Sequence, residues 1–276
     1  MPVPVCALCG TEYEDAPPPE VCAICADDRQ YVLPSGQNWT SREALTAKYA
    51  NTFKELEPGL IAIAMTPKFA IGQQALLVMT PAGNVLWDCV PLIDPATARI
   101  IEALGGLSAI AISHPHYYSA MVSWSDTLGG VPIHLHEDDR AWVMRGSDRI
   151  DFWSGDALEI LPGVTMVRTG GHFAGSCVLH WAGGADGRGA VLCGDTLQVN
   201  PDCKRVSFMR SYPSYIPLSA KSVERLVGRI APYDFDRLYG PFAGKAVLAD
   251  ARAALMRSAD VYIEAVSGRG EADREA

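Results

Sequence analysis

Two groups of side chains in this sequence have the types and spacing to hold metal ions. The first is local: Cys6-Ala-Leu-Cys9, twelve intervening residues, then Cys22-Ala-Ile-Cys25. Paired Cys-x-x-Cys knuckles bring four sulfurs to one tetrahedral site, and thiolates suit zinc or a single iron. The second group is dispersed. Ser113-His114-Pro115-His116, Gly170-Gly171-His172 and Leu192-Cys193-Gly194-Asp195 each follow a short apolar run. Imidazole with carboxylate suits zinc, iron or manganese. One such histidine alone reads as an ordinary polar residue closing a strand. Taken together, all at strand ends where sheets expose their ligand-binding rim, they read as a metal site.

The elements that must position these residues follow from the pattern of apolar runs and turn residues. Strands are expected at Leu60–Met65, Ala75–Met79, Asn84–Asp88, Ala109–Ile112, Pro132–Leu135, Val164–Thr169, Cys177–Trp181, Ala190–Cys193 and Arg237–Tyr239. Helices are expected from Ser41-Arg42-Glu43-Ala44 with Thr40 or Ser41 as N-cap, and over Asp94–Leu104, Ser219–Ile230 and Lys245–Ala265. Strands in runs, then alternating with helices, point to mixed sheets covered by helices. His134 and His136 alternate along one strand, so one faces out while the other borders the site or caps the next helix. His180 reads as a packed strand residue. Asp88, at a strand end, reads as a support that holds a histidine or backbone in place.

The chain has 276 residues and a formal charge of −9. That acidity argues against a nucleic-acid surface, which needs a basic patch. No apolar run approaches the roughly 18 residues of a membrane span. Met-Pro-Val-Pro-Val-Cys lacks the marks of a signal peptide, so a cytoplasmic location is expected, with thiols or metal ligands rather than disulfides. The first 35 residues are too few for an apolar core, and the Ala16-Pro17-Pro18-Pro19 connector cannot continue a strand or helix, so this block needs a metal staple. The expected division is a four-cysteine module over 1–35, a main domain over 36–266 and a disordered tail over 267–276. Cys89, Cys177, Cys193 and Cys203 lack knuckle spacing and read as ordinary thiols.

The first block resembles the rubredoxin-like domain of rubrerythrins through Cys-x-x-Cys-Gly and Glu20-Val21-Cys22-x-x-Cys25. From about residue 40 to 265, His114-x-His116, Gly-Gly-His172, Gly-Asp195 and Tyr239-Gly240-Pro241 resemble the ordered motifs of the metallo-β-lactamase superfamily. That resemblance implies an αββα sandwich of two mixed sheets and a metal-dependent hydrolase. The pattern departs from the family's at Tyr118 and Ser119, where an aspartate and a histidine belong, and near Phe242, where the last histidine belongs. Those residues build the family's second metal site, so one ion is expected, held by His114, His116, His172 and Asp195.

The expected activity is hydrolysis of a small ester, thioester, lactone or amide. Asp195 and Tyr118 are the expected catalytic groups, with Tyr117 the alternative to Tyr118 as a hydrogen-bond donor to an oxyanion. Arg210, Tyr212 and Tyr215, on a mixed aromatic and cationic loop, are expected to bind the substrate. Zinc is expected in each cluster, with iron an alternative at either. Two other readings stand beside this one: a mononuclear iron redox enzyme akin to persulfide dioxygenases that uses the four-cysteine module as electron carrier, and a non-catalytic metal-binding relative. The partner is a small molecule, not nucleic acid or membrane, and the sequence leaves room for a homodimer.

Overall fold

The computed structural model describes residues 3–14 and 17–268. Ala16 of the proline connector and residues 269–276 of the expected tail lie outside the described residues; Ser267 and Gly268 form a turn after the last helix.

The main part is two sheets face to face. The first has seven strands in spatial order Ala50–Glu57, Leu60–Thr66, Gln74–Thr80, Gly83–Trp87, Ala109–Ala111, Ile133–His136 and Ile150–Trp153. Its first four strands are antiparallel neighbours and the rest pair in parallel. The second has six: Ala157–Leu161, Val164–Arg168, Cys177–Trp181, Ala190–Cys193, Arg237–Tyr239 and Ala246–Val247.

The alternation of side chains along each strand separates three apolar layers. Leu76 and Val78 point between the sheets, where they meet Met166, Leu179 and Leu192 of the facing sheet. Leu77, on the opposite face of its strand, packs with Ile101 and Trp124 under the helices Pro95–Ala103 and Met121–Thr127. On the far side, Val167, Val178 and Val191 pack with Leu226 and Leu255 of the helices Ala220–Ile230 and Ala251–Val266. The layers are helix, sheet, sheet, helix.

Helix starts follow their caps: Ser41, Asp94 and Ser219 each accept a backbone N–H in the first turn. The expected helix over Lys245–Ala265 is corrected at its start. Ala246–Val247 pairs with Leu238 and Tyr239 as the edge of the second sheet, and the helix begins only at Ala251. An available strand edge outcompetes the local helical pattern there.

The four-cysteine segment does not stand apart. Its strand Pro4–Cys6 pairs with Trp39–Ser41, beyond the expected limit at residue 35. Its small core shares Ile71, Trp142 and Met144 with the sandwich. Glu12, 2% exposed, accepts from Ser123 Oγ at 2.7 Å and pairs with Arg145. No helix among the described residues is long and apolar enough to cross a membrane.

Candidate metal centres

Strands Ala109–Ala111, Val164–Arg168 and Ala190–Cys193 all end at one rim of the sandwich, and the residues that follow them converge. His114, His116, His172 and Asp195 are buried and offer ligand atoms within 4.8 Å of one another. His172 Nε2 lies 3.2 Å from His116 Nδ1. Asp195 Oδ2 lies 3.2 Å from His114 Nε2 and 3.6 Å from His116 Nδ1. Ligands at 2.0–2.1 Å from a tetrahedral ion are about 3.4 Å apart, so the spacing fits one ion. His114 Nε2 is buried with no hydrogen-bond partner among the described residues, as a lone pair aimed at an ion would be.

The surroundings fix which nitrogen faces inward. His172 Nδ1 lies 3.2 Å from the Met209 carbonyl, which can only accept, so Nδ1 carries the proton and Nε2 is free. For His114 the support is longer. Asp88 Oδ1 accepts from Ser113 N at 2.7 Å, and Ser113 Oγ donates to Asp88 Oδ2 at 3.0 Å. Ser113 Oγ then accepts from His114 Nδ1 at 2.8 Å, leaving the Nε2 lone pair free to hold an ion. Asp88 thus acts on a histidine through a serine.

Glycines make the approach close enough. Gly170 and Gly171 have φ of 63° and 89°, turning the chain sharply before His172. A Cβ on Gly194 would lie 2.2 Å from Ser113 Oγ and 2.7 Å from His114 Nδ1.

Charge is matched to ligation. Burial lowers the proton affinity of His116 to about 4, and of His172 well below the usual imidazole range, with neighbouring imidazoles adding to the effect. Burial works to raise the Asp195 carboxyl, but contacts with His114 and His116 outweigh it and hold it well below the carboxylate range. Asp195 Oδ1 is occupied: Tyr117 Oη donates to it at 2.9 Å and Gln198 Nε2 at 3.1 Å. Burial, then the Asp195 charge, keeps the Tyr117 phenol protonated.

Tyr117 takes the place expected for Tyr118. Pro115–Tyr117 is a 3₁₀ turn, in which residues three apart eclipse. His114 and Tyr117 therefore share a face, their rings 4.5 Å apart. Tyr118 turns away into the apolar layer under the seven-stranded sheet. Ser119 bonds the four-cysteine segment, donating to the Gly10 carbonyl at 3.3 Å.

His116, His172 and Asp195 border a cavity of about 340 Å³, with Tyr212, Lys68 and Phe242 on its sandwich side and Leu8, Arg29, Gln30 and Tyr31 on the side of the four-cysteine segment. Of the residues expected at the substrate, Tyr212 is here. Arg210 is not: its guanidinium is paired with the Asp28 carboxylate at 2.8 and 2.9 Å. Tyr215 is 84% exposed and absent from the cavity. Arg29 and Gln30 carry no sequence signal, because their contacts lie 143 and 86 residues away along the chain. Gln198 does carry one, since it stands three residues past Asp195, which the sequence already marks.

Other histidines have structural partners. His136 caps the following 3₁₀ turn, accepting from Asp138 N at 3.2 Å. His180 Nε2 lies 2.9 Å from the Asp234 carbonyl. Asp139 is 2% exposed; its Oδ1 accepts from Gly175 N at 2.9 Å, and burial pushes its carboxyl up to about 6.

The second cluster is Cys6, Cys9, Cys22 and Cys25, all buried. Sγ separations of 3.7 Å for Cys6–Cys25 and for Cys9–Cys22 match the roughly 3.8 Å edge of a tetrahedron with 2.3 Å zinc–sulfur bonds. Gln37 Nε2 donates to Cys6 Sγ at 3.1 Å and Tyr13 Oη to Cys22 Sγ at 3.3 Å, as anionic sulfur favours. Among the described residues these are the two clusters of this kind.

No protein-family model matches the chain. Solved structures share the fold at low identity. Over 78% of this chain and 96% of its own, the mono-zinc form of the metallo-β-lactamase FIM-1 from Pseudomonas aeruginosa matches at a TM-score of 0.56 and 16% identity. A metallo-β-lactamase with an HARLDQ motif from Cronobacter sakazakii matches over 81% of this chain and 96% of its own, at 0.51 and 18%. DIM-1 metallo-β-lactamase matches over 78% and 98%, at 0.57 and 11%. In sequence, a Bacillus subtilis (strain 168) protein, "Uncharacterized protein YmaE", is 45% identical over 270 residues, covering 97% of this chain and 98% of its own. The chain belongs to the family of YmaE, and its fold is the metallo-β-lactamase sandwich preceded by a four-cysteine segment.

Proposed function

We propose that the protein is a metal-dependent hydrolase with one zinc ion at His114, His116, His172 and Asp195, acting on a small ester, thioester, lactone or amide. One observation carries this reading: four ligand atoms lie within 4.8 Å of one another, and His116, His172 and Asp195 among them border a cavity large enough for a small molecule. An ion there that took a water from the cavity as a fifth ligand would lower the pKa of that water toward 7 and polarise an acyl oxygen. The chain's residues do the rest. Asp88 and Ser113 hold His114, the Met209 carbonyl holds His172, and Tyr117 and Gln198 hold Asp195. Because Oδ1 accepts two bonds, Oδ2 is the oxygen left to hold an ion, and Asp195 would serve as ligand rather than base. Tyr212 and Lys68 border the space for the substrate. A single ion agrees with Tyr118 in the apolar layer, Ser119 on the four-cysteine segment and Phe242 at the cavity.

Zinc at the thiol cluster has a structural part in this reading, and its thiolates suit a reducing cytoplasm. The test is metal analysis with an ester and thioester panel. Two zinc equivalents per chain and turnover are expected, and His172→Ala should remove one equivalent and lower turnover at least about 10³-fold. Turnover unchanged in His172→Ala would sink the reading, and iron at the imidazole cluster would redirect it to redox chemistry.

A further inference from the structure

We propose that Gln30, carried on the four-cysteine segment, is a catalytic residue of the imidazole centre: its carboxamide N–H donates to the acyl oxygen of the substrate as that oxygen gains negative charge. This rests on the hydrolase reading above.

Gln30 Nε2 lies 3.4 Å from His116 Nδ1, the nitrogen that His116 turns toward Asp195 and His172. The carboxamide is thus beside the ligand atoms, and on their open side, since Gln30, His116, His172 and Asp195 border the same cavity. An ion would take the Nδ1 lone pair. The Gln30 N–H would then face the cavity beside the ligands, where an acyl oxygen must arrive. Of the other uncharged donors nearby, Tyr117 Oη and one N–H of Gln198 Nε2 are taken by Asp195 Oδ1, and Tyr212 Oη by the Ser207 carbonyl.

The residues around Gln30 hold it in advance. Gln30 N donates to the Asp27 carbonyl at 3.0 Å, closing a tight turn. Arg29 Nη1 donates to the His172 carbonyl at 3.1 Å, and its guanidinium carbon sits 3.6 Å from the Phe173 ring centroid. The Asp28 carbonyl accepts from Ser211 Oγ at 2.8 Å. Upstream, Cys25 anchors the same stretch in the thiol cluster. A donor fixed before the reaction stabilises developing charge without reorganising.

In the reaction, a water oxygen bonds to the acyl carbon while the carbonyl pair moves onto the acyl oxygen, to which Gln30 donates. The pair returns, the bond to the leaving oxygen, sulfur or nitrogen breaks, and the leaving group departs with one water proton. The other water proton passes to solvent.

The experiment compares the zinc-loaded full chain with Gln30→Ala and Gln30→Glu, the second keeping volume while removing the donor. Metal content should stay at two equivalents. Turnover on the best ester should fall about 10²–10³-fold with KM changed less than about threefold. Affinity for an alkyl phosphonate that mimics the charged intermediate, measured by calorimetry, should weaken at least about tenfold. Parent-like turnover and phosphonate affinity in both variants would overturn the role of Gln30 and leave the hydrolase reading standing. A parent that hydrolyses nothing, yet binds phosphonate more tightly than both variants, would keep the donor and sink the hydrolase. A parent that does neither overturns both.

Discussion

The thiol cluster draws all its ligands from the twenty residues between Cys6 and Cys25, whereas the imidazole cluster gathers His114 to Asp195 from three strand ends. The first is closed, with every sulfur buried and facing its neighbours. The second is open on one side to a cavity. Closed thiolate sets suit structural ions, and sets with an open position suit catalytic ones. The contrast also separates how the ligands are gathered: the thiols come from one short loop, the imidazoles from the finished sandwich. Yet the regions are not independent, because the thiol segment forms one wall of the imidazole cavity.

The strongest way to break this comparison is to destroy the thiol site. Cys22→Ser with Cys25→Ser should remove one zinc equivalent and unfold the segment, whose metal binding is worth on the order of 10 kcal/mol. The imidazole site should keep its ion, and turnover should fall about 10²-fold as the wall and Gln30 leave. Loss of both metals would show one cooperative unit instead of two centres.

Ser113→Ala acts on the other side. It cuts the link from Asp88 to His114 and should weaken metal affinity at the imidazole site about 10–100-fold, by competition with a chelating dye, while the thiol site is unaffected.

A smaller effect comes from Asp139, under the His172 loop. Its carboxyl ionises near 6 in the fold against 3.8 ordinarily. The unfolded chain therefore releases this proton first as pH rises. The contribution to stability is full below 3.8 and is lost as pH rises through 6. Asp139→Asn should leave the melting temperature unchanged near pH 3.5 and raise stability at pH 8 by on the order of 2 kcal/mol. Equal stability at pH 8 would show the carboxylate is tolerated.

Arg210→Ala should do least. Its pair with Asp28 is half-exposed, 42% and 52% for the two side chains, so under about 1 kcal/mol is expected, with KM unchanged. A tenfold rise in KM for anionic esters would restore Arg210 as a substrate contact.

The members of the two clusters were legible because each is announced locally: a knuckle, a His-x-His after an apolar strand, a glycine before a carboxylate. So was the part of Asp88, whose strand end lies beside that of Ser113. Tyr117 against Tyr118 was not, since the choice depends on a 3₁₀ rather than an extended path after His114. Ala50–Glu57 escaped notice because it is an edge strand with a charged, solvent-facing side and no apolar run. The seating of Asp28, Arg29 and Gln30 was beyond any local pattern, as their partners stand far along the chain.

The distance between the two ligand sets has a consequence for how the protein is made. A ribosome adds about 5–20 residues per second, so on the order of 10–30 s separate Cys25 from Asp195. In that interval the thiol loop is complete and can take up its ion while the imidazole site does not yet exist. The order of synthesis thus favours loading the thiols first, while the wall completes its small core only once Ile71, Trp142 and Met144 have followed.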